Sequence, residues 1–330
     1  MPGYMGHASK RAIREHWCKP LLGFLHNSLN CKLTYLGLPS PEAHDILCWI
    51  EYLDKVVAFQ CRDYPKPSSM EQSRDQVDKL EKKLLELERS GRLSSFAVYD
   101  GYIEEVLLRG TDTAGEVFGQ KDLVTVYNLD FCNSIATPLE YVAEDGSIQS
   151  AFKSQAIREL LNWQRRALSS SPSKFIMFLT IHSNFLAAEE ARFVEQEASR
   201  DITSYLRKVS RSLREPERSL RTLRTYIYQI VTNYFCTFEF TPELLPTIYY
   251  KGAGKNWLVH FTIVGTLDRN PSGRAACLQS PQSVLNQKFL WISRDNTVCL
   301  RTTKGMSESS AHKNAIDAFK ATEVFQRCWQ

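Results

Sequence analysis

No apolar run in this sequence approaches the roughly 18–20 residues that a membrane-spanning helix needs, which excludes helical spans. The nine cysteines contain no CxxC pair, are odd in number and are scattered, so neither a metal site of tight spacing nor a disulfide framework is expected. They read as reduced thiols in apolar surroundings, as in Leu47-Cys48-Trp49. The seven histidines form no HxxxH or HExxH pair, which removes the signature of a zinc hydrolase. The basic residues between Met1 and Trp17 are followed by no apolar h-region, so a secretory leader is not expected and a cytoplasmic location is. Internal repeats and low-complexity tracts are absent. A dominant charge sign is absent too: 41 Lys and Arg against 37 Asp and Glu leave +4, too little to identify a partner from bulk charge.

What is present is enough apolar material for a large core, 43% of 330 residues, interrupted by a steady alternation of helix and strand patterns. Ile13, Trp17, Leu21 and Leu25 predict helix over 10–30, with a break or kink at Pro20. Strands are expected at Leu33 to Leu38, Lys55 to Gln60, Phe96 to Tyr99, Leu123 to Tyr127 and Lys174 to Ile181. Between them, Ser40 is a candidate N-cap with Pro41 at the first position of a helix running to Leu53. Val77, Leu80, Leu84 and Leu87 form the apolar face of a helix over 71–90 that Gly91 ends. A further helix is expected near 151–168. This order predicts an α/β fold: a mostly parallel, Rossmann-like sheet with helices on both faces. Beyond about 247 the pattern becomes β-like, with Thr247 to Lys251, Trp257 to Leu267 and Phe289 to Arg301, a hairpin loop at Gly252 to Asn256 and a final helix after 308. An antiparallel C-terminal edge is therefore expected. The implied organisation is a helical segment at 1–30, an α/β domain at 31–270 with a helical insertion at about 186–236, and a β/α extension at 271–330.

The strands share one trait: each apolar run stops in a polar cluster. The clearest case is Leu123-Val124-Thr125-Val126-Tyr127, followed by Asn128-Leu129-Asp130-Phe131-Cys132-Asn133. The others end in Gly37-Leu38-Pro39-Ser40, in Gln60-Cys61-Arg62-Asp63 and in Asp100-Gly101. In an open α/β sheet such ends converge on one ligand crevice.

On these residues the chain resembles the class I S-adenosylmethionine-dependent methyltransferase superfamily, over roughly 30–270. Its opening, His7-Ala8-Ser9-Lys10 through Trp17 and Pro20, is faintly similar to three-Cys-motif partner proteins, a bacterial branch of that fold. The resemblance implies S-adenosylmethionine as cofactor, held by Gly37, Pro39 and Ser40 after the first strand, by Gln60 at the ribose and by Asp100 at the adenine, with Asn128 and Asp130 as catalytic or substrate-orienting residues. The chain departs from the family pattern in two places. Gly37 is the only glycine of the first turn, and Gln60 stands where the family has an acid. An amide accepts a neutral hydrogen bond worth about 1 kcal/mol, against about 1.5–3 for a charged one.

A second feature is Leu206 to Thr225, in which Arg207, Arg211, Arg214, Arg218, Arg221 and Arg224 recur every three or four residues, with Pro216 between two expected helices. Arginine forks suit phosphate oxygens, and Tyr226, Tyr228 and Tyr234 follow as residues that could stack on bases. DNA or RNA is the partner this pattern predicts; a solvated face paired with Glu189, Glu190, Glu195 and Glu197 is the bland alternative, and an acidic protein is a third. Three functions follow: methyl transfer to nucleic acid or another phosphate-bearing substrate, a catalytically inactive methyltransferase-like module that binds nucleic acid or a protein, or a subunit of a larger assembly.

Overall fold

The computed structural model describes residues 8–60, 70–119, 123–131, 134–143, 146–167, 174–182, 200–209, 217–251, 257–270, 272, 278–287, 289–292, 298–300 and 315–329. The chain enters through α1 (Ala8–Ile13), a π-helical turn (Arg14–Cys18) and α2 (Lys19–Leu29). Pro20 does not break this path. It sits in the first turn of α2, where its missing N–H costs least, and the chain ahead of it widens into the π turn.

Then β1 (Leu33–Gly37), α3 (His44–Trp49), β2 (Leu53–Gln60), α4 (Met70–Arg89), β3 (Ser95–Asp100) and α5 (Ile103–Arg109) alternate. Gly91, at a φ of +70°, closes α4 in a left-handed turn that side chains resist. The α3 start corrects one expectation: Ser40 is not its cap. Pro41 lies in a turn, and Ala43, at a φ of +52°, precedes the first helical residue.

β4 (Val126–Asp130) is followed by a hairpin, β5 (Pro138–Val142) and β6 (Ile148–Phe152), and by α6 (Lys153–Ala167), β7 (Lys174–His182), α7 (Arg200–Val209) and α8 (Glu217–Thr237). The remainder is β8 (Phe240–Leu244), β9 (Thr247–Lys251), β10 (Trp257–Leu267), α9 (Pro281–Asn286), β11 (Phe289–Ile292), β12 (Val298–Leu300), α10 (Ala315–Lys320) and α11 (Glu323–Trp329). The loop expected at Gly252 to Asn256 lies outside the described residues, but the strands it joins do pair antiparallel, Trp257 opposite Lys251.

Among the described residues one mixed sheet carries ten strands in the order β3-β2-β1-β4-β7-β10-β9-β11-β12, with β8 beside the second half of β10. β1, β2, β3, β4 and β7 are mutually parallel. β10 runs antiparallel between β7 on one side and β8 and β9 on the other. The fold is therefore α/β and Rossmann-like, with antiparallel strands towards one edge. Helices cover both faces. On the first, Trp17, Leu21, Trp49, Leu80, Leu84 and Phe319 meet the sheet. On the second, Ile103, Val106, Ile157, Leu160, Leu223 and Ile227 do so.

Candidate functional site at the carboxyl ends of the strands

Chain order reverses between β1 and β4: the strands on one side of that line run β1, β2, β3, and on the other β4, β7. A crevice opens outside the carboxyl ends at such a switch point. Strand register fixes what faces it. Gly37 lies opposite Asn128 and Ala58, and Gln60 opposite Asp100. Side chains alternate along a strand, so Tyr35 and Gly37, Ala58 and Gln60, Val98 and Asp100, and Asn128 and Asp130 all stand on the first face. Five of the expected residues thus share one edge and one side of the sheet.

β4 itself is displaced from its expected position. The strand runs Val126–Asp130, so Asn128 and Asp130 lie inside it rather than beyond its end. A strand can carry such polar groups when partners satisfy them. Asn128 Nδ2 donates to Asp45 Oδ2 at 2.5 Å and to Tyr35 Oη at 3.2 Å, and Tyr35 Oη donates to the same Asp45 oxygen at 2.7 Å. Asp45 and Tyr35 are buried. Burial, with Asp45 alongside, raises the Tyr35 phenol well above its usual range, so it stays a donor. Asp130 pairs with Lys10 of α1 at 2.5 Å, both side chains about 30% exposed. His182, at the end of β7, feels both charges, and burial lowers its pKa.

Deeper on the same face, Trp17 Nε1 donates to Thr262 Oγ1 at 2.9 Å. His260 contacts Thr180 Oγ1 at 2.9 Å and Cys18 Sγ at 3.6 Å. Burial drives His260 down to about 4 and the Cys18 thiol upward. The pair is therefore a neutral imidazole beside a neutral thiol, not an activated nucleophile.

The deciding observation is the order of the five parallel strands together with the antiparallel β10 set between β7 and β9. The chain has the Rossmann-like α/β fold that the methyltransferase resemblance implies. Among solved structures it is similar to the YcgJ protein from Bacillus subtilis (11% identity, 76% of this chain and 98% of that one, TM-score 0.34). It is similar also to an rRNA methylase from Streptococcus thermophilus (11% identity, 76% and 95%, TM-score 0.33). A third likeness is to precorrin-6y C5,15-methyltransferase from Geobacter metallireducens (8% identity, 75% and 88%, TM-score 0.30). The strand order, rather than these likenesses, carries the assignment. No protein-family model and no curated protein matches the chain.

In the methyltransferase fold the turn after β1 approaches S-adenosylmethionine. Among the described residues this turn does not fit that cofactor. A Cβ on Gly37 would stand 2.4 Å from the Asn128 carbonyl and 2.8 Å from Tyr35 Oη, so the space a glycine opens is filled by the protein itself. The Asn128 carbonyl already accepts from the Leu38 N–H. Pro39 is buried and has no N–H to offer, and the Ser40 hydroxyl contacts His44 Nδ1 at 3.1 Å. Gln60 is half-buried and carries no charge. Asp63, Cys132 and Asn133 lie outside the described residues.

Asp100 is buried and faces away from the switch point, towards α4. It lines a cavity of about 140 Å³ with Asp78, Glu81, Asp112 and Glu116. That is small against the roughly 300–1,000 Å³ of ligand pockets. Burial and the neighbouring carboxylates of Asp78, Glu116 and Asp100 raise the Glu81 pKa, so the recess gathers acidic groups.

The arginine segment divides in two. Arg207 and Lys208 at the end of α7, and Arg218 at the start of α8, are exposed. Arg221 does not reach solvent: it is buried and donates to the Leu285 carbonyl at 2.9 Å, which corrects its place on a phosphate-binding face. Arg224 is fully buried, donating to Leu285 O at 3.2 Å and Gln287 O at 2.8 Å; burial and Arg221 lower its pKa to about 9. The two guanidinium groups clamp the carbonyl end of α9, where a helix is partly negative. Arg211 and Arg214 lie outside the described residues.

Sequence reasoning did not single out Asp45, Tyr35 or Lys10 as members of the crevice. Period-two spacing places Tyr35 on the same strand face as Gly37, which was a usable signal. Nothing local ties Asp45 to Asn128 or Lys10 to Asp130, which lie 83 and 120 residues apart.

Proposed function

We propose that this chain is a methyltransferase-like module that binds nucleic acid and does not transfer a methyl group from S-adenosylmethionine. The observation that carries the reading is the engagement of Asn128 and Asp130 by the protein's own Asp45, Tyr35 and Lys10. To serve a reaction, Asp130 would have to give up an ion pair and Asn128 two hydrogen bonds. Nucleic acid is favoured as ligand by the exposed Arg207 and Lys208 at the end of α7 and Arg218 at the start of α8. Binding of this kind is electrostatic and releases counterions, at about 0.7 per phosphate contacted on a single strand.

One observation favours the active enzyme as the second reading: Gly37, Gln60, Asp100, Asn128 and Asp130 share one sheet face at the carboxyl edge. Calorimetry with S-adenosylhomocysteine separates the two. The non-catalytic reading expects no heat, and saturable binding overturns it. Titration of a labelled single-stranded oligonucleotide at several salt concentrations tests the ligand. Affinity should fall with salt, and replacing Arg207 and Arg218 together by alanine should flatten the log–log slope by about 1.4. Affinity indifferent to salt would remove nucleic acid from the proposal.

A further inference from the structure

β3 ends the sheet, and part of its outer rim is open. The Gly101 N–H turns inward to the Gln60 carbonyl, and main-chain groups of successive residues alternate between β2 and the outside. Asp100 therefore faces out, and its groups are taken. Its N–H donates to Asp112 Oδ2 at 3.0 Å, and its carbonyl accepts from the Thr113 N–H at 2.8 Å. Phe96 and Val98 face out in the same way. Among the described residues no strand and no other backbone group pairs with their outer N–H and C=O. Such a rim is a template for an added strand.

The open rim runs into the acidic recess. Val98 and Asp100 form the recess wall on the sheet, Asp78 and Glu81 stand on α4, and Glu116 lies in the turn beyond β3. Asp112 builds that turn, accepting from the N–H groups of Ala114 and Glu116 at 2.9 and 2.8 Å. The charges acting on Glu81 are all carboxylates. The lysines beside it on α4 are engaged elsewhere: Lys79 pairs with Glu42 at 2.7 Å and Lys83 with Glu86 at 3.1 Å. At about 140 Å³ the recess is too small for a nucleotide and suits one long side chain. A strand added beside β3 would place every second side chain on the first face, where the recess lies.

We propose that the β3 rim docks an extended segment of a partner protein, which adds a strand against Phe96 and Val98 and seats one basic side chain among Asp78, Glu81 and Glu116. Main-chain hydrogen bonds give the segment affinity, and the recess gives it register and choice of residue. The carboxylates attract a lysine or arginine and repel an acid, and an arginine fork can meet two carboxylates at once. The inference is independent of the nucleic-acid reading above.

The test selects short random peptides displayed on phage against the full chain, then follows a labelled synthetic copy of the enriched sequence by fluorescence anisotropy. Enriched sequences should carry one arginine or lysine among β-branched residues. Glu81→Gln combined with Glu116→Gln should weaken binding about ten-fold. Methylating every second amide of the peptide should abolish binding for one of the two alternating sets and spare it for the other, because only one set faces β3. Hydrogen exchange at the Val98 amide should slow in the complex. No enrichment, an enriched sequence without a basic residue, or equal tolerance of both methylated sets overturns the proposal. An unchanged Val98 amide does so too, since the peptide then sits elsewhere. A dimer that excludes the peptide in ultracentrifugation assigns the rim to a second copy and likewise overturns it. Should the double variant fail to fold, the methylated peptides and the exchange on wild type decide.

Discussion

His260 shows how a single side chain ties stability to pH. It is buried between Thr180 and Cys18, stacked on Phe178, and its pKa falls to about 4 from a usual 6.5. Between those values the unfolded chain binds a proton that the folded one refuses. Stability contributed by this group is therefore full above pH 6.5 and is lost as pH falls towards 4. The loss is on the order of 3 kcal/mol. Urea unfolding at pH 7 and pH 4.5 should show it, and His260→Asn should shrink the difference between the two. An undiminished difference in that variant would place the acid sensitivity elsewhere.

Among elements, α8 and α9 are joined by guanidinium forks rather than by a charge pair. Arg224 reaches two carbonyls, Leu285 and Gln287, and Arg221 shares the first. A lysine carries the charge but not the fork. Arg224→Lys should therefore resemble Arg224→Ala, both losing about 2 kcal/mol in chemical denaturation. Rescue by lysine would show that charge near the α9 carbonyls is what matters. The elements also differ in how well they could be read in advance. β10 was legible from end to end, Trp257–Leu267, because both faces of its middle are buried and it is rich in β-branched and aromatic residues. β8 was not: Pro242 and Glu243 interrupt it, and Glu243 is met by Arg327, at 2.7 Å and 84 residues away. The β5–β6 hairpin packs one side loosely and leaves Val142 and Ile148 exposed, so its short alternation is a weak signal. β4 misled for a related reason. Its polar residues read as a strand end, because the groups that satisfy Asn128 and Asp130 come from α3 and α1. The fold class needed only local periodicity and alternation. The state of the crevice depended on contacts between remote residues.

For the molecule as a whole, both described ends of the chain fold onto the same sheet face. Trp17 meets Phe319, Phe24 meets Phe325 and Trp329, and Lys174 of β7 donates to the Cys328 carbonyl. The stretch from 315 to 329 is thus part of the core that supports the π turn and, through α1, the Lys10–Asp130 pair. The central placement of β10 also orders events during synthesis. β7 leaves the ribosome well before β10, and β8 and β9 emerge without their shared neighbour. Until residue 267 has been made, one rim of β7 is a bare template for mispairing. Nascent chains arrested just after Lys251 should be captured by holdase chaperones and attacked by protease, whereas those arrested far enough beyond Leu267 to clear the exit tunnel should resist both.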